Sequence, residues 1–104
     1  MKVVVLTHKA EIKLIRAYAY LEEQRPGLGS DFEQEIDRLL QLISEFAETG
    51  GRYGRSRYRF VVARQFSFVI YYRITPAFVR VHAITHGSRR PGHRKKICES
   101  FIRG

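Results

Sequence analysis

The sequence predicts an α+β fold of two layers, ordered β-α-α-β-β-β, with a helical hairpin packed on one face of an antiparallel sheet. Three observations carry that prediction. Apolar residues recur at steps of three and four through the first half of the chain, the period of a helix with one buried stripe. Near residue 52 the period changes to two, the alternation of half-buried strands. The later segments are joined by connections of only a few residues, at Arg64-Gln65 and Thr75-Pro76-Ala77, which suit antiparallel neighbours.

The elements follow in order. Residues 2–6 read as a short apolar strand. Thr7 is placed to cap a helix over 8–24, whose stripe is Ala10, Leu14, Ala17, Tyr18 and Leu21. Pro26-Gly27 breaks it. Ser30-Asp31-Phe32-Glu33 has the pattern of a capping box and predicts a second helix over 31–47. Its stripe is Phe32, Ile36, Leu39, Leu40, Ile43 and Phe46, and Gly50-Gly51 is expected to end it.

Three strands are expected at 57–63, 67–74 and 79–86. The sets Tyr58/Phe60/Val62, Phe68/Ile70/Tyr72/Ile74 and Val79/Val81/Ala83 are assigned to the helix side. Their alternates Arg57/Arg59/Val61, Val69/Tyr71/Arg73 and Arg80/His82/Ile84 are assigned outward. Counting reversals makes the first strand antiparallel to either edge of the meander. Ile97 and Phe101, four apart, permit a short C-terminal helix in a tail.

A chain of 104 residues is expected to form one domain, 1–104. Its composition is that of a soluble globular protein, with no apolar run long enough for a membrane span. The opening apolar stretch stops at Thr7-His8-Lys9, too short for a secretory signal. Cys98 is the only cysteine, which removes a disulfide framework and reads as a structural thiol in a reducing cytoplasm. Charge is segregated. Residues 1–51 hold six Lys/Arg against nine Asp/Glu, net −3, whereas 52–104 hold thirteen against one, net +12. Such a basic half points to an anionic partner, against the simpler reading of a solvated surface.

The outward set gathers Arg57, Arg59, Tyr71, Arg73, Arg80, His82 and His86, with Arg89 and Arg90 at its rim. Same-face neighbours on adjacent strands lie about 5 Å apart, so these residues form one candidate surface for carboxylates, phosphates or a partner's side chains. An ordinary wet sheet face has the same composition. A metal site is not expected: His82 and His86 are about 13 Å apart along a strand and no acid or thiol is near them in sequence. Ser88 follows a glycine, yet no acid lies near His86 to orient an imidazole. Glu99 is the only acid after residue 48, which leaves arginines with a histidine as the one conceivable metal-free site for RNA cleavage. The glycines lack the strand-turn-helix context of a phosphate loop. No cofactor is expected.

Taken together, the chain resembles the RelE/ParE superfamily of toxins from bacterial toxin–antitoxin operons, over residues 3–94. The resemblance rests on Ala10, Lys13-Leu14 and Tyr20-Leu21, then Pro26, Phe32, Ile36, Leu39, Leu40 and Ile43. It continues through Gly54, Tyr58-Arg59 and Val69-Ile70-Tyr71-Tyr72-Arg73 to Ile84-Thr85-His86-Gly87-Ser88-Arg89-Arg90-Pro91. That last turn most resembles the ParE branch, with Arg90 where an Asp is common.

The resemblance implies a small cytoplasmic toxin that arrests growth and is held by a cognate acidic antitoxin in a hetero-oligomer. ParE-type members act on DNA gyrase by binding. RelE-type members cleave mRNA in the ribosome with basic residues and often a late Tyr. In this chain Arg64 and Arg89 fall near basic positions of the nucleases, with His86 or His82 as the available base, but no Tyr follows Tyr72. The ParE-like reading is therefore favoured, with Arg59, Tyr71, Arg73, Arg80, His82, His86, Arg89 and Arg90 as the binding set. A RelE-like mRNA endonuclease is the alternative, and an inactive nucleic-acid-binding relative the remaining one.

Overall fold

Each helix of the computed structural model, which describes residues 1–86, forms where the helical period predicted one. The elements are β1 (Val3–Leu6), α1 (His8–Gln24), α2 (Leu28–Glu45), β2 (Gly51–Arg52), β3 (Tyr58–Ala63), β4 (Phe68–Ile74) and β5 (Phe78–His86). Single 3-10 turns occupy Ala47–Thr49 and Arg64–Phe66. The five strands make one sheet in the order β1-β5-β4-β3-β2, and both helices pack on one of its faces. The expected helix at Ile97 and Phe101 lies outside the described residues.

Thr7 caps α1 as its residue type suggests. Its backbone is extended, and its hydroxyl accepts from the Ala10 amide at 3.2 Å, satisfying one of the amides a helix start leaves unpaired. The start of α2 differs from expectation. The capping box at Ser30 and Glu33 does not form, and the helix begins at Leu28 after Gly27 in the left-handed region (φ 91°). The Glu22 carboxylate, reaching across from α1, accepts from the Gly27 and Gly29 amides, both at 2.9 Å. A charged acceptor at the positive end of a helix serves better than a neutral hydroxyl, so the helix starts before Ser30. Gly29 is required by closeness: a Cβ there would lie 2.8 Å from Glu22 Oε1 and 2.9 Å from the Tyr18 carbonyl oxygen.

The other end of α2 is also corrected. It stops at Glu45, and Gly50-Gly51 follow the intervening 3-10 turn instead of capping the helix. That turn is fixed by Tyr72, whose buried hydroxyl donates to the Ala47 carbonyl at 2.7 Å and accepts from the Gly50 amide at 3.0 Å.

β1 runs parallel to β5, pairing Val3 with Phe78 through Leu6 with Val81, so the expected antiparallel placement of the first strand is wrong. The cause is β2. This two-residue strand pairs antiparallel with β3 and adds one reversal that the sequence count omitted. The sheet is mixed, with an antiparallel meander from β2 to β5.

Two face assignments change as well. Register places Phe60 opposite Tyr71 and Val61 opposite Ile70. Directly opposed residues share a face, so Val61 and Ala63 join the helix-side core and Phe60 and Val62 the other face. In β5 the register shifts: Tyr71 pairs with Ala83 but Tyr72 with Val81, leaving His82 as the extra residue of a β-bulge. Beyond the bulge the alternation inverts, so Ile84 packs under the helices and Ala83 does not.

Candidate functional site

The face of the sheet away from the helices divides into two parts. Near the Arg64–Phe66 turn, Val69, Tyr71 and Ala83 are buried and packed with Tyr53, Phe60 and Val62 in a second small core. Tyr71 and Val69 face outward as expected but are each 1% exposed, which corrects their expected exposure and removes Tyr71 from the open binding surface. They hold this face together.

The other part is cationic. Tyr58 stands opposite Arg73, and Arg73 opposite Arg80, so three neighbouring strands present one row. Arg80 is exposed and its guanidinium lies over the Phe78 ring, 5.2 Å from the centroid. Two residues beyond Arg80, His82 joins this row, edge-on to Tyr58 with ring centroids 5.1 Å apart. Burial, followed by the charges of Arg80 and Arg73, pushes the His82 pKa below its ordinary 6.5. Two arginines directly opposed on neighbouring strands repel each other, and an anion laid across them would relieve that repulsion.

The structure separates the remaining candidates from this row. Arg59 shares its face with Val61 and the helices. It donates to the Glu48 and Gly50 carbonyls at 3.2 and 3.1 Å, clamping the exit from α2. Arg57 precedes β3. His86 points to the helix side, its ring edge-on to Phe68 at 5.1 Å, so it does not share a face with His82. Arg64 is exposed in the β3–β4 turn, at the same end of the sheet as His86 and opposite to Arg73. Arg89 and Arg90 lie outside the described residues, as do Ser88, His93 and Cys98. Among the described residues no group of three His, Cys, Asp or Glu side chains could hold a metal ion.

Tyr58 and Phe78 join the row without having been expected there. A sequence signal existed for Phe78, two residues from the outward Arg80 in one strand, whereas Tyr58 was placed by its register against Arg73. The bulge, which decides where His86 points, left no mark in the sequence.

Two comparisons agree with this geometry. The family model described as "ParE toxin of type II toxin-antitoxin system, parDE" matches residues 4–91. Among solved structures, the fold is similar to a chain of the chromosomal ParDE toxin–antitoxin system from P. aeruginosa. That match has a TM-score of 0.74 at 18% identity, over 85% of this chain and 98% of that one. It is similar too to the isolated E. coli RelE toxin, with a TM-score of 0.65 at 12% identity over 96% and 99%. At those identities the likeness is one of fold. No curated protein sequence gives a significant match.

Proposed function

The chain belongs to the ParE toxin family of type II toxin–antitoxin systems, and from that membership we propose that it inhibits DNA gyrase by binding and is neutralised by a cognate acidic antitoxin. The observation that carries this reading is the row Tyr58, Arg73, Arg80 and His82, a cationic surface suited to docking. No acid occurs between Glu48 and Glu99 to supply carboxylate chemistry beside it. Metal-free RNA cleavage needs a proton acceptor next to the cations that stabilise the phosphate. Among histidines the row offers His82 alone for that, Arg64 and His86 lie at the opposite end of the sheet, and the late Tyr of the nucleases is missing, since no Tyr follows Tyr72. These points favour a binder. Arg89 and Arg90 stay in the proposed binding set on their charge alone.

An acidic antitoxin segment would meet the same arginines, so charge should speed its association more than it fixes its affinity. The purified chain is expected to inhibit gyrase supercoiling, or to trap gyrase on cleaved DNA, while leaving mRNA intact in a translating extract. Arg73→Glu with Arg80→Glu should weaken inhibition and slow antitoxin association, whereas His86→Gln should preserve growth arrest. Normal supercoiling together with mRNA cut in the ribosomal A site, lost on His86→Gln, would replace this reading with a RelE-like endonuclease.

A further inference from the structure

On the helix side, where α1 crosses the ends of β4 and β5, a cleft of about 330 Å³ is lined by Lys13, Arg16, Ala17, Tyr20, Phe68 and His86. Its α1 residues fall at i, i+3, i+4 and i+7, one stripe of the helix. Ala17 is small and buried, so the stripe dips at its centre and exposes the edge of Phe68 as an apolar floor. Phe68 also steadies the His86 ring, as described above. Tyr20 stands 60% exposed on the rim, a large aromatic face with little of its own fold to cover it.

The electrostatics of this cleft are unusual for the chain. Its α1 residues come from the half with net negative charge and its Phe68 and His86 from the basic half, and the lining holds Lys13, Arg16 and His86 and no carboxylate. Three other clefts of the described residues each include an acid: Asp37 in one, Glu33 in another, Glu45 with Glu48 in the third. Lys13 and Arg16 are like charges three apart on a helix, and neither has an ion-pair partner among the described residues. Such a pair is destabilising in the empty protein. A bound anion removes that cost.

We propose that this cleft binds a nucleotide, with the phosphate held by Lys13, Arg16 and His86 and the base stacked on Tyr20 against the Phe68 edge. A guanidinium and an ammonium on one side, with imidazole nitrogen on the other, match the several oxygens of a phosphate monoester. The aromatic rim supplies a stacking platform that an inorganic anion would not use. The volume is at the lower end of the range for small-molecule sites, enough for one nucleotide. The same chemistry is offered by a free mononucleotide and by the 5′-phosphorylated end of a single strand. This site is separate from the open-face arginines and does not depend on the gyrase reading.

The test is a titration of the full chain, followed by amide shifts of α1 and by tyrosine fluorescence, there being no tryptophan. The probes are adenosine 5′-monophosphate, adenosine, inorganic phosphate, and a tetranucleotide with and without its 5′-phosphate. The monophosphate should bind more tightly than either adenosine or phosphate, shifting the amides of Lys13, Arg16 and Tyr20. Lys13→Gln with Arg16→Gln should weaken binding by about tenfold or more, and Tyr20→Ala should abolish the preference over inorganic phosphate. All three side chains are exposed, and thermal melts will confirm that the variants fold. A 5′-phosphorylated tetranucleotide that outcompetes the mononucleotide identifies a strand end as the source; the reverse order identifies a free nucleotide. The proposal is overturned if the monophosphate binds no better than phosphate, or if the α1 variants bind as the parent does. Loss of binding in Arg73→Gln/Arg80→Gln instead would overturn it too, by moving the ligand to the open face.

Discussion

The two faces of the sheet are held by different physics. Under the helices, Phe32, Ile43, Ile70, Tyr72, Val79 and Val81 are each 0% exposed, and the apolar surface is continuous from β1 to β3. Position there is set by burial. On the other face a small core of Val69, Tyr71 and Ala83 occupies one end, and the opposed arginines Arg73 and Arg80 occupy the other. The bulge at His82 lies at the boundary between them. A face that must be dry leaves little freedom to each residue, whereas a half-open face can keep an unfavourable charge pair for a partner to satisfy. Burial is thus concentrated on one face and unrelieved charge on the other, and changes on each should have different consequences.

The largest loss is expected on the covered face. Phe32 packs against Phe66 and Phe68, with ring centroids 5.5 and 4.9 Å apart, so Phe32→Ala should destabilise by about 3–5 kcal/mol in denaturant unfolding. A loss under about 1 kcal/mol would show that this face tolerates voids and would blur the contrast.

Next in size is Tyr72→Phe, which keeps the ring and deletes the hydroxyl bridging Ala47 and Gly50. The Gly50 amide would be left buried without that acceptor, a cost of about 1–3 kcal/mol. Protection of the Gly50 amide from hydrogen exchange should fall in parallel, since the same hydroxyl holds the turn that creates β2.

On the open face the sign should reverse. Arg80→Gln removes one of two like charges in direct opposition, so stability should hold or rise by about 0.2–1 kcal/mol, more at low salt than at high. A clear loss would mean that the cation–π contact with Phe78 outweighs the repulsion.

The smallest effect is a pH dependence. His82 has a folded-state pKa below 6.5 because burial, then Arg80 and Arg73, disfavour its charged form. The unfolded chain therefore takes up the proton first, and stability should fall as pH drops below about 6.5 until the folded-state pKa is passed. Urea midpoints from about pH 7 to pH 5 should show that slope, and His82→Gln should flatten it. An identical slope in the variant would assign the effect to other groups.

Local chemistry made much of this protein legible in its sequence. α1 spans 8–24 as read from the Thr7 cap and the apolar stripe, and three strands lie within a residue of their predicted bounds. These signals depend on residues adjacent in the chain or one helical turn apart, where hydrogen bonding and side-chain period act directly. The clustering of Arg73, Arg80 and His82 was legible for the same reason, since alternation along a strand predicts a shared face.

What tertiary structure decided were relations between distant segments. Glu22 displaced Ser30 as the cap of α2 because the hairpin brings a carboxylate from one helix to the start of the next. β2 reversed the direction of everything after it by pairing with β3, a partner it meets only in the fold. The face of Phe60 was set by its register against Tyr71, because both alternates in β3 are apolar enough to be buried. The bulge at His82 then separated two histidines four residues apart and placed one on each side of the sheet. A periodic pattern specifies a surface only until one unpaired residue shifts its phase, and whether such a residue is accommodated depends on the strand beside it.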